Sequence, residues 1–160
     1  MSGSTFKVYN ISDYQDCFSR QVLFDFKFHG KKELAPVIAS VYREFLPKVG
    51  EGLLVPVPCS PASLKERGWN HMELIAAQLK PYRYCNLLSV NPSFNLEQKK
   101  LNREQRIESS KNKFCVIPQV VEDSHLILLD DIMTTGSTLK ACREALPGYK
   151  ISAITWFIEF

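Results

Sequence analysis

The chain has 160 residues, of which 45% are hydrophobic, and this length suits one compact domain that buries about two-thirds of its unfolded surface. Its formal net charge of +3 does not by itself indicate a nucleic-acid-binding protein, and it permits an anionic ligand. No run approaches the roughly 20 apolar residues of a membrane span, and the first residues lack the apolar core of a signal peptide, so we expect a cytoplasmic protein without a membrane span.

Apolar spacing and turn residues predict alternating helices and strands. In chain order these are helices 22–28 and 34–46, strand 53–57, helix 69–79, strands 86–90, 114–117 and 126–129, helix 138–146 and strand 151–160. This alternation predicts an α/β fold, with a twisted, mainly parallel sheet flanked by helices and ligands at the carboxyl edge of the strands. Residues 91–113 are polar and charged, which predicts a mobile segment.

The five cysteines stand apart in the chain, with no Cys-x-x-Cys pair and no histidine at zinc-ligand spacing. We therefore expect no zinc site. In a reducing compartment such residues are most simply small buried hydrophobic side chains. They are Cys17, Cys59, Cys85, Cys115 and Cys142.

The run 126–139 is the most informative part of the sequence. Four apolar residues predict a buried strand, Asp130 and Asp131 follow it, and a small-residue turn leads into a helix. The turn amides and hydroxyls, with the positive end of the helix, suit an ester phosphate, while the two carboxylates suit sugar hydroxyls. The phosphate-binding residues would be Thr134, Thr135, Gly136, Ser137 and Thr138. An ordinary strand-turn-helix whose acids only cap the helix is the alternative.

This run resembles the phosphoribosyl pyrophosphate (PRPP) signature of the type I phosphoribosyltransferases: four apolar residues, two acids, two variable residues and a Thr-Thr-Gly-Ser-Thr-like loop. No Walker A loop and no Gly-x-Gly-x-x-Gly motif is present. The resemblance implies that fold class, PRPP as ligand, and Mg²⁺ bound with PRPP. It assigns no residue of this chain as a direct metal ligand.

A second anion-binding loop is predicted after strand 53–57. Prolines stiffen this loop, and basic residues just beyond it could neutralise a pyrophosphate, with arginine making a two-pronged contact. The residues concerned are Pro58, Cys59, Ser60, Lys65 and Arg67. A connecting turn followed by solvated basic residues explains the same pattern.

Three further segments resemble the ComF family, whose members are phosphoribosyltransferase-like. Val55-Pro-Val-Pro58 and Arg67-Gly-Trp-Asn-His71 are similar to its Pro-Val-Pro and Arg-Gly-Phe-Asn-Gln segments. Gln98 to Arg106 is similar to its Gln-x-x-Leu-x-x-x-x-Arg segment, with Asn112 and Phe114 following. With the PRPP signature, the resemblance covers residues 27–160.

The chain departs from that family in two respects. Many relatives carry an amino-terminal four-cysteine zinc module, which has no counterpart among these cysteines. His71 stands where the family usually has Gln, at a position we expect on a helix surface or pocket edge. A single histidine is more often structural than catalytic, although its ordinary pKa suits proton transfer.

In type I enzymes a mobile loop closes over the site, and residues 98–113 occupy the corresponding place. Closure would bring basic side chains to the pyrophosphate and exclude water, although a solvated charged loop is the simpler explanation. Arg106 is the preferred catalytic residue of this loop. The other catalytic candidates, Asp130 and Asp131, lie outside the loop. The other loop candidates are Lys99, Lys100 and Arg103.

The resemblance implies transfer of phosphoribosyl to an unidentified nitrogenous base or amine, with pyrophosphate release. Residues 1–50, the mobile loop or the partner in a homodimer would supply a hood over the acceptor, within a single domain 1–160. The alternative is a non-catalytic PRPP-binding protein, or an accessory protein for uptake of single-stranded DNA in natural competence. The partners would then be single-stranded DNA or a protein of the competence machinery.

Overall fold

The computed structural model of the protein describes residues 6–13, 16–94 and 113–159. Its strands are β1 Lys7–Asp13, β2 Leu53–Pro56, β3 Leu88–Val90, β4 Phe114–Val116, β5 His125–Met133 and β6 Lys150–Ile158. Its helices are α1 Cys17–Phe28, α2 Ala35–Val49, α3 Pro61–Arg67, α4 His71–Ala77 and α5 Ser137–Ala145, with a 3-10 turn at Lys32–Leu34. None of the described helices has the length and apolar character that a membrane crossing requires.

Four strands form one parallel sheet in the order β1-β6-β5-β2. After β5 the chain passes through α5 to the neighbouring strand β6, whereas after β2 it leaves on the other side, through α3 and α4. The carboxyl ends of β5 and β2 therefore border a crevice of the kind that binds ligands in open α/β sheets. The predicted class, an α/β fold of the type I phosphoribosyltransferase kind with a mainly parallel sheet, is confirmed.

The two faces of the sheet carry separate hydrophobic cores. Ile127 and Leu129 of β5 pack with residues of α1, α2 and α4. Leu126 and Leu128 pack on the opposite face with residues of α5, β3 and β4. Because successive side chains of a strand point to opposite faces, Asp130 and Asp131, which follow in β5, also lie on opposite faces of the sheet.

Several sequence predictions need correction. Strand 126–129 does not end at the two acids: β5 continues to Met133 because β6 pairs with it as far as Ile158. Strands 86–90 and 114–117 are shorter than predicted and form a separate antiparallel pair, outside the parallel sheet. Strand β1 was not predicted, since its mixed polar sequence becomes a strand through parallel pairing with β6.

The segment after β2 also differs from the prediction. The loop is followed directly by α3, which begins at Pro61 with the Ser60 side chain accepting a hydrogen bond from the Ser63 N–H. Serine before proline is a typical helix start, and the prolines had favoured a loop interpretation. The predicted helix 69–79 begins only at His71, where the Asn70 side chain caps the first turn.

Candidate functional site

The turn after β5 presents hydroxyl groups at the beginning of α5. Gly136 has a left-handed backbone conformation with φ of 70°, which lets the chain turn from the strand into the nine-residue helix. The Thr135 hydroxyl donates to Ser137 Oγ at 3.0 Å and accepts from the Ser137 N–H at 3.4 Å. Thr134, Thr135 and Ser137 are exposed, so these groups and the first amides of α5 can be reached by an anion.

Lys113 adds a positive charge to this turn. Its Nζ donates to Thr138 Oγ1 at 3.2 Å, and its backbone carbonyl accepts the Asn91 N–H at 2.9 Å. The β3–β4 pair thus holds a lysine beside the first turn of α5. Lys113 lies in the charged segment 91–113 and was not predicted as a site residue, because residue spacing does not show that β4 returns to α5.

Asp130 lies on the α5 side of the sheet and is 8% exposed. Its Oδ1 accepts the Asp131 N–H at 3.0 Å, and its backbone carbonyl accepts the Tyr42 hydroxyl at 2.6 Å. Burial and the neighbouring Asp131 charge raise the pKa of Asp130 to about 7, although Lys27 and Lys113 oppose the shift. This carboxyl can therefore change its charge near neutral pH.

Asp131 lies on the opposite side of the sheet, where α1 and α4 cover it. Its Oδ2 is 2.5 Å from Lys27 Nζ and 2.6 Å from His71 Nε2, and its Oδ1 accepts the Ile132 N–H at 2.6 Å. Burial acts to raise the pKa of Asp131, but His71 and Lys27 outweigh it and hold the carboxyl ionised well below its usual range. Both oxygens already have protein partners, and neither Lys27 nor the role of His71 was predicted.

His71 is 6% exposed, which corrects the expected position at a helix surface or pocket edge. As the first residue of α4 it points beneath the carboxyl edge of the sheet, toward Asp131. Burial lowers the pKa of His71, and the hydrogen bond to Asp131 only partly opposes this shift. The ring is therefore neutral near pH 7, donates its Nε2 proton to Asp131, and leaves the positive charge of the cluster to Lys27.

The predicted second loop leaves β2 beside the acid pair, since the Val57 N–H donates to the Leu129 carbonyl at 2.9 Å. The Arg67 charge acts on both Cys59 and His71, so the end of α3 lies close to this loop. Burial raises the pKa of the Cys59 thiol, which stays protonated near neutral pH. Lys65 is exposed. Because Lys65 and Arg67 are two positions apart in α3, their side chains point to different sides of the helix.

The remaining members of that loop have identifiable structural roles. Pro58 and Cys59 are partly buried, and the Ser60 hydroxyl donates to Ser63 Oγ at 2.9 Å while capping α3. Their contact with pyrophosphate stays a prediction. The candidates of the mobile loop lie outside the described residues: Lys99, Lys100, Arg103 and Arg106.

A cavity of about 350 Å³ lies between α1 and the end of β5. Arg20, Gln21, Phe24, Lys27, Phe28 and Ile132 line it. The rings of Phe24 and Phe28 are 4.9 Å apart, and both are exposed. Phe28 lies at this cavity, whereas Phe26 and Trp156 belong to the core. The cavity thus combines aromatic surface with amide and cationic groups beside Ile132, the residue after Asp131.

The donor set suits magnesium that is bound mainly through its ligand. Mg²⁺ prefers oxygen ligands, keeps several waters and commonly binds through substrate phosphates. Both oxygens of Asp131 are taken by protein partners, and Asp130 is nearly buried. PRPP oxygens and water would therefore supply most of the coordination.

Comparisons with known proteins give two curated relatives, and no family model matches the chain. The chain is 31% identical over 141 residues to Competence protein ComFC of Streptococcus pneumoniae (strain ATCC BAA-255 / R6), covering 82% of this chain and 56% of the relative. It is 30% identical over 154 residues to Competence protein ComFC of Bacillus subtilis (strain 168), covering 92% of this chain and 61% of the relative. It thus spans less than two-thirds of the length of either relative. Over this shared region, the chain belongs to the ComF family.

Proposed function

We propose that this protein binds PRPP and transfers its phosphoribosyl group to a nitrogenous acceptor, releasing pyrophosphate. The observation that carries the proposal is the meeting of the acid pair with the hydroxyl-rich turn before α5, next to the Pro58–Ser60 loop. These groups lie at the carboxyl edge of a parallel sheet, where the chain leaves the paired strands β2 and β5 on opposite sides. Groups that can bind an anion and carboxylates that can accept sugar hydroxyls therefore lie at one edge of the sheet.

In this proposal the 5-phosphate binds to the turn Thr134–Thr138, with Lys113 as an additional cation. Asp130 accepts hydrogen bonds from the ribose hydroxyls. Asp131 either exchanges its contact with His71 or Lys27 for a ribose hydroxyl, or keeps Lys27 in place. The pyrophosphate lies toward Pro58, Cys59 and Ser60. Mg²⁺ bound to PRPP would neutralise charge on the leaving group.

The chemistry requires positioning and charge stabilisation more than a covalent nucleophile. When pyrophosphate leaves, the anomeric carbon becomes oxocarbenium-like and the acceptor nitrogen forms the new bond there. Fixed groups that align sugar and acceptor, and cations that stabilise the departing charge, supply the rate. Thr134 cannot act as a carboxylate base, so an acceptor proton must pass to another group or to solvent.

The cavity between α1 and Ile132 supports a planar acceptor. Phe24 and Phe28 offer aromatic surface, while Gln21, Arg20 and Lys27 offer hydrogen-bond donors at its wall. This location beside the acid pair is suitable for a ring nitrogen to approach the ribose. The acceptor in this proposal is a nitrogen heterocycle.

The first test is calorimetric titration with PRPP and Mg²⁺, using ribose 5-phosphate as the control ligand. We expect both to bind, with PRPP tighter because it adds the pyrophosphate contacts. Candidate acceptors are then screened for pyrophosphate release that depends on the acceptor. Folded protein that binds neither ligand would refute the PRPP site, whereas binding without release for any acceptor would refute transfer alone.

A second proposal is a non-catalytic role in natural competence, with single-stranded DNA or a competence protein as partner. Its support is the name of both relatives, Competence protein ComFC. Direct DNA binding predicts an affinity that falls steeply with salt, because phosphate contacts release counterions. Acceptor-dependent pyrophosphate release without DNA binding would favour transfer. Both proposals include a cytoplasmic location, which cell fractionation can test.

A further inference from the structure

Two buried nitrogen atoms near the crevice have no hydrogen-bond partner among the described residues: His71 Nδ1 and Arg67 Nη1. Arg67 ends α3 and His71 begins α4, so a short connection separates them. Leaving buried polar atoms unpaired is costly, and such atoms in a folded protein call for an explanation such as a bound ligand or water. A group bound at this junction would satisfy both atoms.

The orientation of His71 defines what that occupant can be. Its Nε2 is 2.6 Å from Asp131 Oδ2, so the Nε2 proton is committed to a carboxylate that is itself buried. In the neutral ring Nδ1 is then a hydrogen-bond acceptor, and only the doubly protonated ring can donate from Nδ1. The Arg67 charge acts on His71, and Arg67 Nη1 is always a donor.

We propose that His71 Nδ1 and Arg67 Nη1 together bind an oxygen of a phosphate group, and that His71 takes up a proton when this oxyanion binds. The inference rests on the proposed function, and it assigns the ligand as the pyrophosphate group of PRPP or free pyrophosphate. The proton comes from solvent and stays on Nδ1, between the ring and the phosphate oxygen. Asp131 is the positioning residue that holds the ring in this orientation.

The charges around the ring make this response reasonable. Asp131 from β5 favours a charged ring, whereas Lys27 from α1 and Arg67 from α3 oppose it. Glu73 of α4 acts on the neighbouring thiol of Cys59 in the same region. Without ligand, burial and the two cations keep the pKa of His71 lowered. An incoming phosphate adds negative charge beside Nδ1 and raises that pKa.

The test is calorimetric titration with inorganic pyrophosphate and Mg²⁺ near pH 7, in buffers with different heats of ionisation. The dependence of the measured heat on buffer gives the number of protons taken up per ligand. Pyrophosphate and its magnesium complex exchange protons themselves, so the informative quantity is the difference between wild type and His71→Gln. We expect wild type to take up more protons, by up to one per ligand.

His125→Gln is the matched control. His125 lies at the start of β5, where its ring contacts the Glu51 carbonyl and the Ser152 hydroxyl. This variant should take up as many protons as wild type. Between about pH 6 and about pH 8, pyrophosphate affinity should also fall more steeply with pH in wild type than in His71→Gln, by up to about tenfold per unit. Equal proton uptake in wild type and folded His71→Gln would overturn the inference.

A second measurement does not depend on the folding of His71→Gln. In the double variant His29→Gln/His125→Gln, His71 is the only remaining histidine. Nitrogen-15 NMR should show an Nδ1 signal of a bare ring nitrogen without ligand, and of a protonated nitrogen with pyrophosphate. Pyrophosphate binding without this change would overturn the inference and would leave the PRPP site intact. Failure of folded wild type to bind either pyrophosphate or PRPP would refute the proposed function as well.

Discussion

Lys27 Nζ of helix α1 lies 2.5 Å from Asp131 Oδ2 of strand β5. The exposed fractions of the two side chains are 17% and 9%, so the ion pair is largely removed from water. It joins the first helix to the strand that carries the candidate sugar-binding acids. His71 donates to the same oxygen, and the site therefore depends on three elements that are far apart in the chain.

Replacing Lys27 with Met should destabilise the protein by about 3 kcal/mol, because removing one member of a buried pair leaves the other charge without its full compensation. This loss of stability should be smaller near pH 6 than near pH 8, because at pH 6 His71 can become protonated and supply the missing positive charge. Urea unfolding at both pH values measures this difference.

Lys31→Met is the control for that experiment. Lys31 pairs with Asp25 at 2.6 Å, but 48% of its side chain is exposed. Exposed ion pairs contribute little, so this substitution should change the unfolding midpoint only slightly. Equal losses for the two variants would contradict the importance assigned to the buried pair.

Asp130 should make stability depend on pH in a defined window. Its pKa is raised from 3.8 to about 7 on folding, mainly by burial and then by the Asp131 charge. Between these values the folded state retains a proton that the unfolded state has lost, so stability decreases as pH rises from about 4 to about 7. Asp130→Asn keeps a neutral side chain and should lack this decrease.

Unfolding free energies of wild type and Asp130→Asn, measured at several pH values, test that relation. The two proteins should be similar near pH 4, and the variant should be the more stable near pH 8. The same variant should bind PRPP weakly because it loses a carboxylate for the ribose hydroxyls. A constant difference in stability at every pH would show that Asp130 ionises normally.

Gly136→Ala should weaken ribose 5-phosphate binding by roughly tenfold, which corresponds to about 1.4 kcal/mol. A Cβ at this position would meet only Met133 Sδ at 3.8 Å, an ordinary contact. The strain comes instead from the φ of 70°, and its relief would move the amides at the start of α5. Calorimetry with ribose 5-phosphate gives the change in affinity.

Gly148→Ala separates this effect from a general loss of stability. Gly148 also has a positive φ, of 89°, but it lies in the turn between α5 and β6, at the other end of α5 from the turn 134–138. Both substitutions should cost about 1 to 2 kcal/mol of stability, and only Gly136→Ala should impair binding. Unimpaired binding by Gly136→Ala would argue against the turn as the phosphate site.

Lys113→Met should weaken ribose 5-phosphate binding by about tenfold at low salt, because it removes the cation that contacts Thr138. The difference from wild type should shrink as salt screens the charge. Lys140→Met provides a control on the exposed surface of α5 and should leave affinity nearly unchanged. If both variants bind as wild type does, Lys113 is not part of the phosphate site.

Local signals identified much of the fold and the tight turn before α5. The apolar run 126–129 and the small residues after it indicate a buried strand and a tight turn wherever they occur, and both are found. Helices α1 and α2 are also found, with ends shifted from their predicted limits. By contrast, β1 has no strong pattern of its own and becomes a strand only beside β6.

The sequence by itself determined that two acids follow a buried apolar run. Pairing with β6 extends the strand through both acids, and alternation along it then turns them to opposite faces. Only the tertiary structure decided what each acid meets: Lys27 and His71 around Asp131, and burial near Lys113 for Asp130. The physical reason is that alternation is a local property of the backbone. These partners, in contrast, come from helices and a strand brought together by packing on the two faces of the sheet.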